Sequence, residues 1–215
     1  MNGSGLDWAA LALTLVIMLG YEARLHARSR RAPEQVARSA HGRLRADWVA
    51  AMSRERGMEI VAVQLLRNSL MSATINASTA AIALVGTLSL QAGRAVAAAP
   101  AATLAALSVR GVLDLLLASL LFAAFVCSSM AMRYYHHAGY AMSMPVGSPE
   151  RERRLPLAQQ HLQRAGVLYS WGLRFFLLLA PALAGLLHPW LMPPAAVALV
   201  AVMHRFDQAA RAEGD

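Results

Sequence analysis

Apolar residues fall in long blocks, separated by segments dense in arginine. Blocks near 6–25, 60–90, 108–132 and 172–188 carry little charge inside them. About twenty such residues rise roughly 30 Å as a helix, the thickness of a bilayer's hydrocarbon core. A last apolar run, 190–204, is shorter and reads as a fifth span or, alternatively, as a re-entrant or interfacial segment. The pattern predicts an all-α integral membrane protein: one domain over 1–215, a helical bundle of about five transmembrane helices. Segments 26–58 and 133–171 are left for the cytoplasmic side.

The second block has a polar stripe. Gln64, Asn68, Ser72, Asn76 and Thr79 recur at steps of four, four, four and three. At about 100° per residue they share one face of a helix, with Arg67 and Ser78 at its edge. A lipid-facing surface would not carry this stripe, so it is expected to face protein, water or a ligand. The third block instead carries small residues, among them Ala123, Ala124 and Ser128, which suit close helix packing. Ser72, Asn76, Thr79, Ala123, Ala124 and Ser128 are the expected helix-interface positions.

The polar segments also have periodicity. Between about 36 and 58, Leu44, Trp48, Ala51 and Met52 share a face opposite several charges. This predicts an amphipathic helix on the membrane surface, or alternatively a plain solvated helix. A bend is expected around Pro33, and an alanine-rich loop over 91–107. Pro145, Gly147, Pro149 and Pro156 are expected to break helix before a short amphipathic helix over 157–171. Arg110 and Asp114, four apart, are placed to pair. Trp8 and Tyr21 sit where interfacial aromatics belong. Residues 1–7 lack basic residues and no small-residue cleavage site follows, so the first block reads as a retained helix.

Charge sets the orientation. The chain has 57% apolar and 15% charged residues, and its net +8 comes from twenty arginines and no lysine. Nine arginines lie between Arg24 and Arg56 and five more between Arg133 and Arg164, against one or two in the second loop. Arginine beside apolar blocks orients helices, so nucleic acid is not the expected partner. The arginine-rich side is assigned to the cytoplasm of a bacterial inner membrane, with the N-terminus outside and the C-terminus inside. A single cysteine, Cys127, offers no intrachain disulfide and no metal pair.

No hydrolase elbow, P-loop, dinucleotide fingerprint or acidic pair is present, so no catalytic residues are assigned and an enzyme is the least supported class. The topology gathers Gln64, Arg67, Asn68, Arg133, His137, Tyr169 and Arg174 near the cytoplasmic face. Arginine forks suit phosphate or carboxylate, and amide and phenol groups complete such a pocket. This set is the expected site for an anion or a lipid headgroup. No cofactor or metal is called for. Adjacent His136 and His137 point about 100° apart and do not chelate together. Haem through a histidine, or copper at Met142 and Met144, stays open as an alternative. The first expectation is a non-enzymatic binding or transport module. The second is an accessory or assembly subunit of a larger membrane complex, such as a respiratory one. Partners are membrane lipids, and either further copies of the chain or other membrane subunits.

The segments QLLRNSLMSATINAST (64–79), RYYHHAGY (133–140), GLRFF (172–176) and HPWLMPPAAVALVAVMHRFD (188–207) resemble a multi-pass membrane family of bacteria and plants, domain of unknown function 599. The resemblance covers about 6–207. It implies the membrane architecture, and it places Arg67, Asn68, Arg133, His137 and Arg174 at matching motif positions. The family carries no settled activity to transfer.

Overall fold

The computed structural model describes residues 3–31, 37–97 and 108–207. Six helices account for nearly all of them: α1 (Gly3–Arg31), α2 (Ala37–Met52), α3 (Glu59–Ala97), α4 (Val109–Met142), α5 (Pro149–Leu187) and α6 (Met192–Asp207). A single 3-10 turn, Pro189–Leu191, joins α5 to α6. The protein is an all-α helical membrane bundle. Among the described residues, α1, α3, α4 and α5 are long and apolar enough to cross a membrane. The bend expected at Pro33 and most of the loop expected over 91–107 lie outside the described residues.

The helices alternate in direction. Thr74 on α3 meets Met132 on α4, and Gln91 meets Asp114, so these two run antiparallel. Ser128 on α4 faces Gly172 on α5, while Leu113 faces Gly185. α6 runs parallel to α1: Met192 packs with Ala10 and Leu11, and Asp207 meets Tyr21. The expected last span is therefore this turn plus a helix of 16 residues, slightly short of an upright crossing. It nonetheless covers the depth between Ala10 and Tyr21.

α3 and α5 each have 39 residues, roughly 58 Å of helix at 1.5 Å per residue. That is about twice the hydrocarbon thickness. The surplus lies at the arginine-rich end. There α2 joins α3, α4 and α5 around a second core that includes Val49, Ala62, Leu66, Tyr135, Met142 and Leu162. α2 thus docks on the bundle through Trp48, Val49 and Met52. Trp48 and Met52 of the expected apolar face pack on protein, while Leu44 and Ala51 of that face are exposed.

Two glycines make the tight turns of this head possible. Gly57 and Gly147 have φ of 86° and 85°, which side chains with a Cβ disfavour. α5 then starts with Ser148, whose hydroxyl accepts from the Arg151 N–H, and Pro149 in the first turn. The helix continues through Pro156, where a break was expected. Pro156 and Glu152 are both exposed, so water can satisfy the carbonyl that loses its partner. Asp114 likewise differs from expectation. It pairs with Arg94 on α3 at 3.3 Å instead of Arg110, because it faces the α3 side of α4.

The membrane core depends on small residues. A Cβ at Gly172 would lie 2.6 Å from the Ser128 hydroxyl oxygen, with Ala124 and Ser128 fully buried beneath it. Gly172→Ala is therefore expected to destabilise the bundle by about 1–3 kcal/mol through overpacking. Gly20→Ala, inside α1 and with nothing within 4 Å of its Cβ, serves as the control for the helix-propensity gain that both substitutions share. Reversible unfolding in mixed micelles measures both, and an unchanged Gly172→Ala midpoint would contradict this packing.

Candidate functional site

The seven residues expected to share a site are distributed among several surroundings. Arg174 is 6% exposed and belongs to an internal charge cluster. Its Nη1 donates to Glu22 Oε1 at 2.6 Å, and its Nη2 donates to Asp207 Oδ1. The Tyr21 hydroxyl donates to the other Asp207 oxygen at 2.6 Å. The Arg174 guanidinium also lies 6.0 Å from the Trp171 ring centre. One cation thus meets two carboxylates, a formal charge of −1 if both are ionised. This arrangement ties α1, α5 and α6 together and leaves Arg174 no free fork for an external anion.

Gln64, Arg67 and Asn68 lie on the exposed face of α3, opposite the buried Ala62, Leu66 and Ala73. Arg67 is seven residues from Thr74 toward the arginine-rich end, roughly 10 Å beyond the level of Met132. Arg133 is exposed on α4. His137, also exposed, lies 5.4 Å from the His161 ring. His161 is the same distance from Tyr134, and Arg164 stands 5.9 Å over the Tyr134 ring. Tyr169 is half-buried against the head core. Among the described residues, no group of three or more His, Cys, Asp or Glu is placed to hold a metal ion.

The expected interface residues divide too. Ala124 and Ser128 are buried between α4 and α5 of the same chain, and Ala123 beside them is half-buried. Ser72 and Thr79 are exposed, and the Ser72 hydroxyl donates back to the Asn68 carbonyl at 3.1 Å. Asn76 is half-buried, and its Nδ2 has no hydrogen-bond partner.

Two arginines that the sequence presents as ordinary loop and surface charges prove to be built into the head. Arg151 is 1% exposed. Its Nη1 donates to the Met142 carbonyl at 3.0 Å and to that of Met144, and its Nη2 donates to the Met52 carbonyl at 3.2 Å. It satisfies carbonyls left open at the ends of α2 and α4. Glu59 completes the junction by accepting from the Val146 N–H at 3.2 Å. Arg45 on α2 lies against Gly166 of α5, so closely that a Cβ there would collide with its guanidinium. Its Nε is buried without a hydrogen-bond partner. Burial pushes the Arg45 pKa below its ordinary value, opposed by nearby Tyr135. The signal that could have located Arg151 is Ser148-Pro149: Pro149, expected to break helix, instead starts α5 and sets Arg151 in its first turn.

These features define a multi-pass helical membrane protein with a folded, arginine-bearing head at one end. The chain belongs to the family described as protein of unknown function, DUF599, whose model matches residues 9–212. No curated protein and no solved structure matches it.

The Arg174 cluster generates a stability prediction. Arg174→Gln strands two carboxylates and is expected to cost about 3–5 kcal/mol. Replacing Arg174, Glu22 and Asp207 together by apolar residues of similar size should recover much of that loss. Unfolding midpoints of the single and triple variants measure it, and a single variant as stable as the parent would refute the assignment.

Proposed function

We propose that the protein is a non-enzymatic binding or transport module of the bacterial inner membrane, taking an anion or a lipid headgroup at its arginine-rich end. The observation that carries this reading is the division among its guanidinium groups. Arg174 is neutralised by carboxylates and Arg151 is committed to backbone carbonyls. Arg67 and Arg133 are exposed, and among the described residues neither forms an ion pair. They lie near the level where α3 and α4 leave the apolar part of the bundle. Cations there attract the phosphates of an acidic leaflet or a soluble anion beside it. The arginine bias puts this end in the cytoplasm, with the N-terminus outside and the C-terminus inside.

A second reading, an accessory subunit of a larger membrane complex, is favoured by the outward stripe on α3. Ser72 and Thr79 face away from the chain's own bundle. Hydrocarbon offers polar side chains no partner, whereas another helix does.

Native mass spectrometry of protein extracted gently from its own membrane separates the two. A headgroup site predicts retained anionic lipid, weakened about five-fold for each of Arg67→Gln and Arg133→Gln, near 1 kcal/mol per interfacial cation. Unchanged retention in the double variant would end the anion reading. Stoichiometric co-purification of other polypeptides would favour the subunit reading. A C-terminal reporter active only in the cytoplasm should light up if the orientation is right.

A further inference from the structure

A cavity of about 280 Å³ opens in the head where α2 packs on α3, α4 and α5. Its walls are mainly apolar, formed by Leu44, Trp48, Leu65 and Leu162. Its polar atoms come from Arg45, Tyr135 and Ser69. The volume is near the lower end for small-molecule sites, and the mix of apolar walls with a few convergent polar groups is typical of them.

The arginine makes the cavity more than a packing gap. Arg45 is half-buried, its Nε is sealed from water without a partner, and no acid among the described residues pairs with it. A cation partly withdrawn from water without a counter-ion is costly, and an anion brought by a ligand lowers that cost. Gly166 provides the space the guanidinium occupies. Tyr135, 7% exposed, brings a phenol to the same wall, and Ser69 brings a second hydroxyl. Arg45 and the Tyr135 phenol are donors for the oxygens of a carboxylate or phosphate, while the Ser69 hydroxyl donates to the Leu65 carbonyl at 3.3 Å.

The position of the cavity indicates the rest of the ligand. Leu66 lies eight residues from Thr74, roughly 12 Å toward the arginine-rich end. The mouth is apolar: Leu44 and Leu65 are exposed, as are Ile60 and Val61 nearby on α3. An inorganic anion would leave these walls unused, and an uncharged lipid would leave Arg45 unpaired.

We infer that this cavity binds an oxyanion-headed amphiphile, a fatty carboxylate or a single-chain phosphate ester, with its head on Arg45 and Tyr135 and its chain along the leucines. The inference rests on the reading of the arginine-rich end as the ligand-facing end, and names the residues and ligand class there.

The test uses the full chain in phosphatidylcholine nanodiscs and radiolabelled dodecanoate as the probe. Saturable binding is expected, weakened ten-fold or more by Arg45→Gln and partly restored in Arg45→Lys. Leu65→Trp, which fills the cavity and keeps the arginine, should weaken it as much. It decides the matter if Arg45→Gln does not fold. Dodecyl phosphate should compete and dodecanol should not. Stronger competition by dodecyl phosphate than by unlabelled dodecanoate would identify a phosphate-headed source, and the reverse a fatty acid. Equal binding by the parent and both cavity variants, or displacement by dodecanol, would overturn the inference. Displacement by inorganic phosphate alone, at concentrations matching dodecanoate, would overturn the amphiphile assignment. If Arg67→Gln with Arg133→Gln loses anionic lipid while the cavity variants bind dodecanoate unchanged, the cavity fails and the broader anion reading survives.

Discussion

The bundle depends on how one buried guanidinium is neutralised. Arg174 meets Glu22 from α1 and Asp207 from α6, and Tyr21 holds the remaining Asp207 oxygen. Charges at this depth are expensive when alone and tolerable when their partners are fixed. The three helices must therefore keep one relative register. α6 is short, and this cluster fixes its far end while Met192 seats its beginning against Leu113 and Gly185.

The same principle separates the two ends of the molecule. At the arginine-poor end, Leu113, Gly185 and Met192 pack by shape alone. At the other, cations hold protein atoms together. Arg151 gathers the carbonyls of Met52 and Met142 into one junction, and Arg45 sits in the gap left by Gly166. An arginine-rich segment is thus more than a topological signal here, because some of its members hold the head and others remain at its surface.

The architecture was largely legible in the sequence. Apolar blocks of membrane length, the arginine bias and the small residues Ala124 and Ser128 are local patterns, and they describe helices and a tight crossing. The site was less legible, because its chemistry depends on contacts distant in sequence. Arg174 and Glu22 are separated by 152 positions, and nothing near Arg174 announces that its fork is occupied. The stripe from Gln64 to Thr79 reads correctly as one face, but periodicity does not say which way a face turns. It turns outward because the alanines at 62, 73, 77 and 80 allow closer approach on the other side. Arg45 and Arg151 look like solvated charges until the helices that bury them are in place.

The position of Asp207 after both Glu22 and Arg174 bears on how the molecule is made. Glu22 and Arg174 are translated and threaded into the membrane before their third partner exists. Until α6 follows, Arg174 has one carboxylate instead of two, and Tyr21 has no acceptor from Asp207. Insertion and final assembly are therefore separate events, with the last helix acting as a latch. A chain truncated before α6 would keep its four long apolar helices but leave the charge cluster open at Arg174.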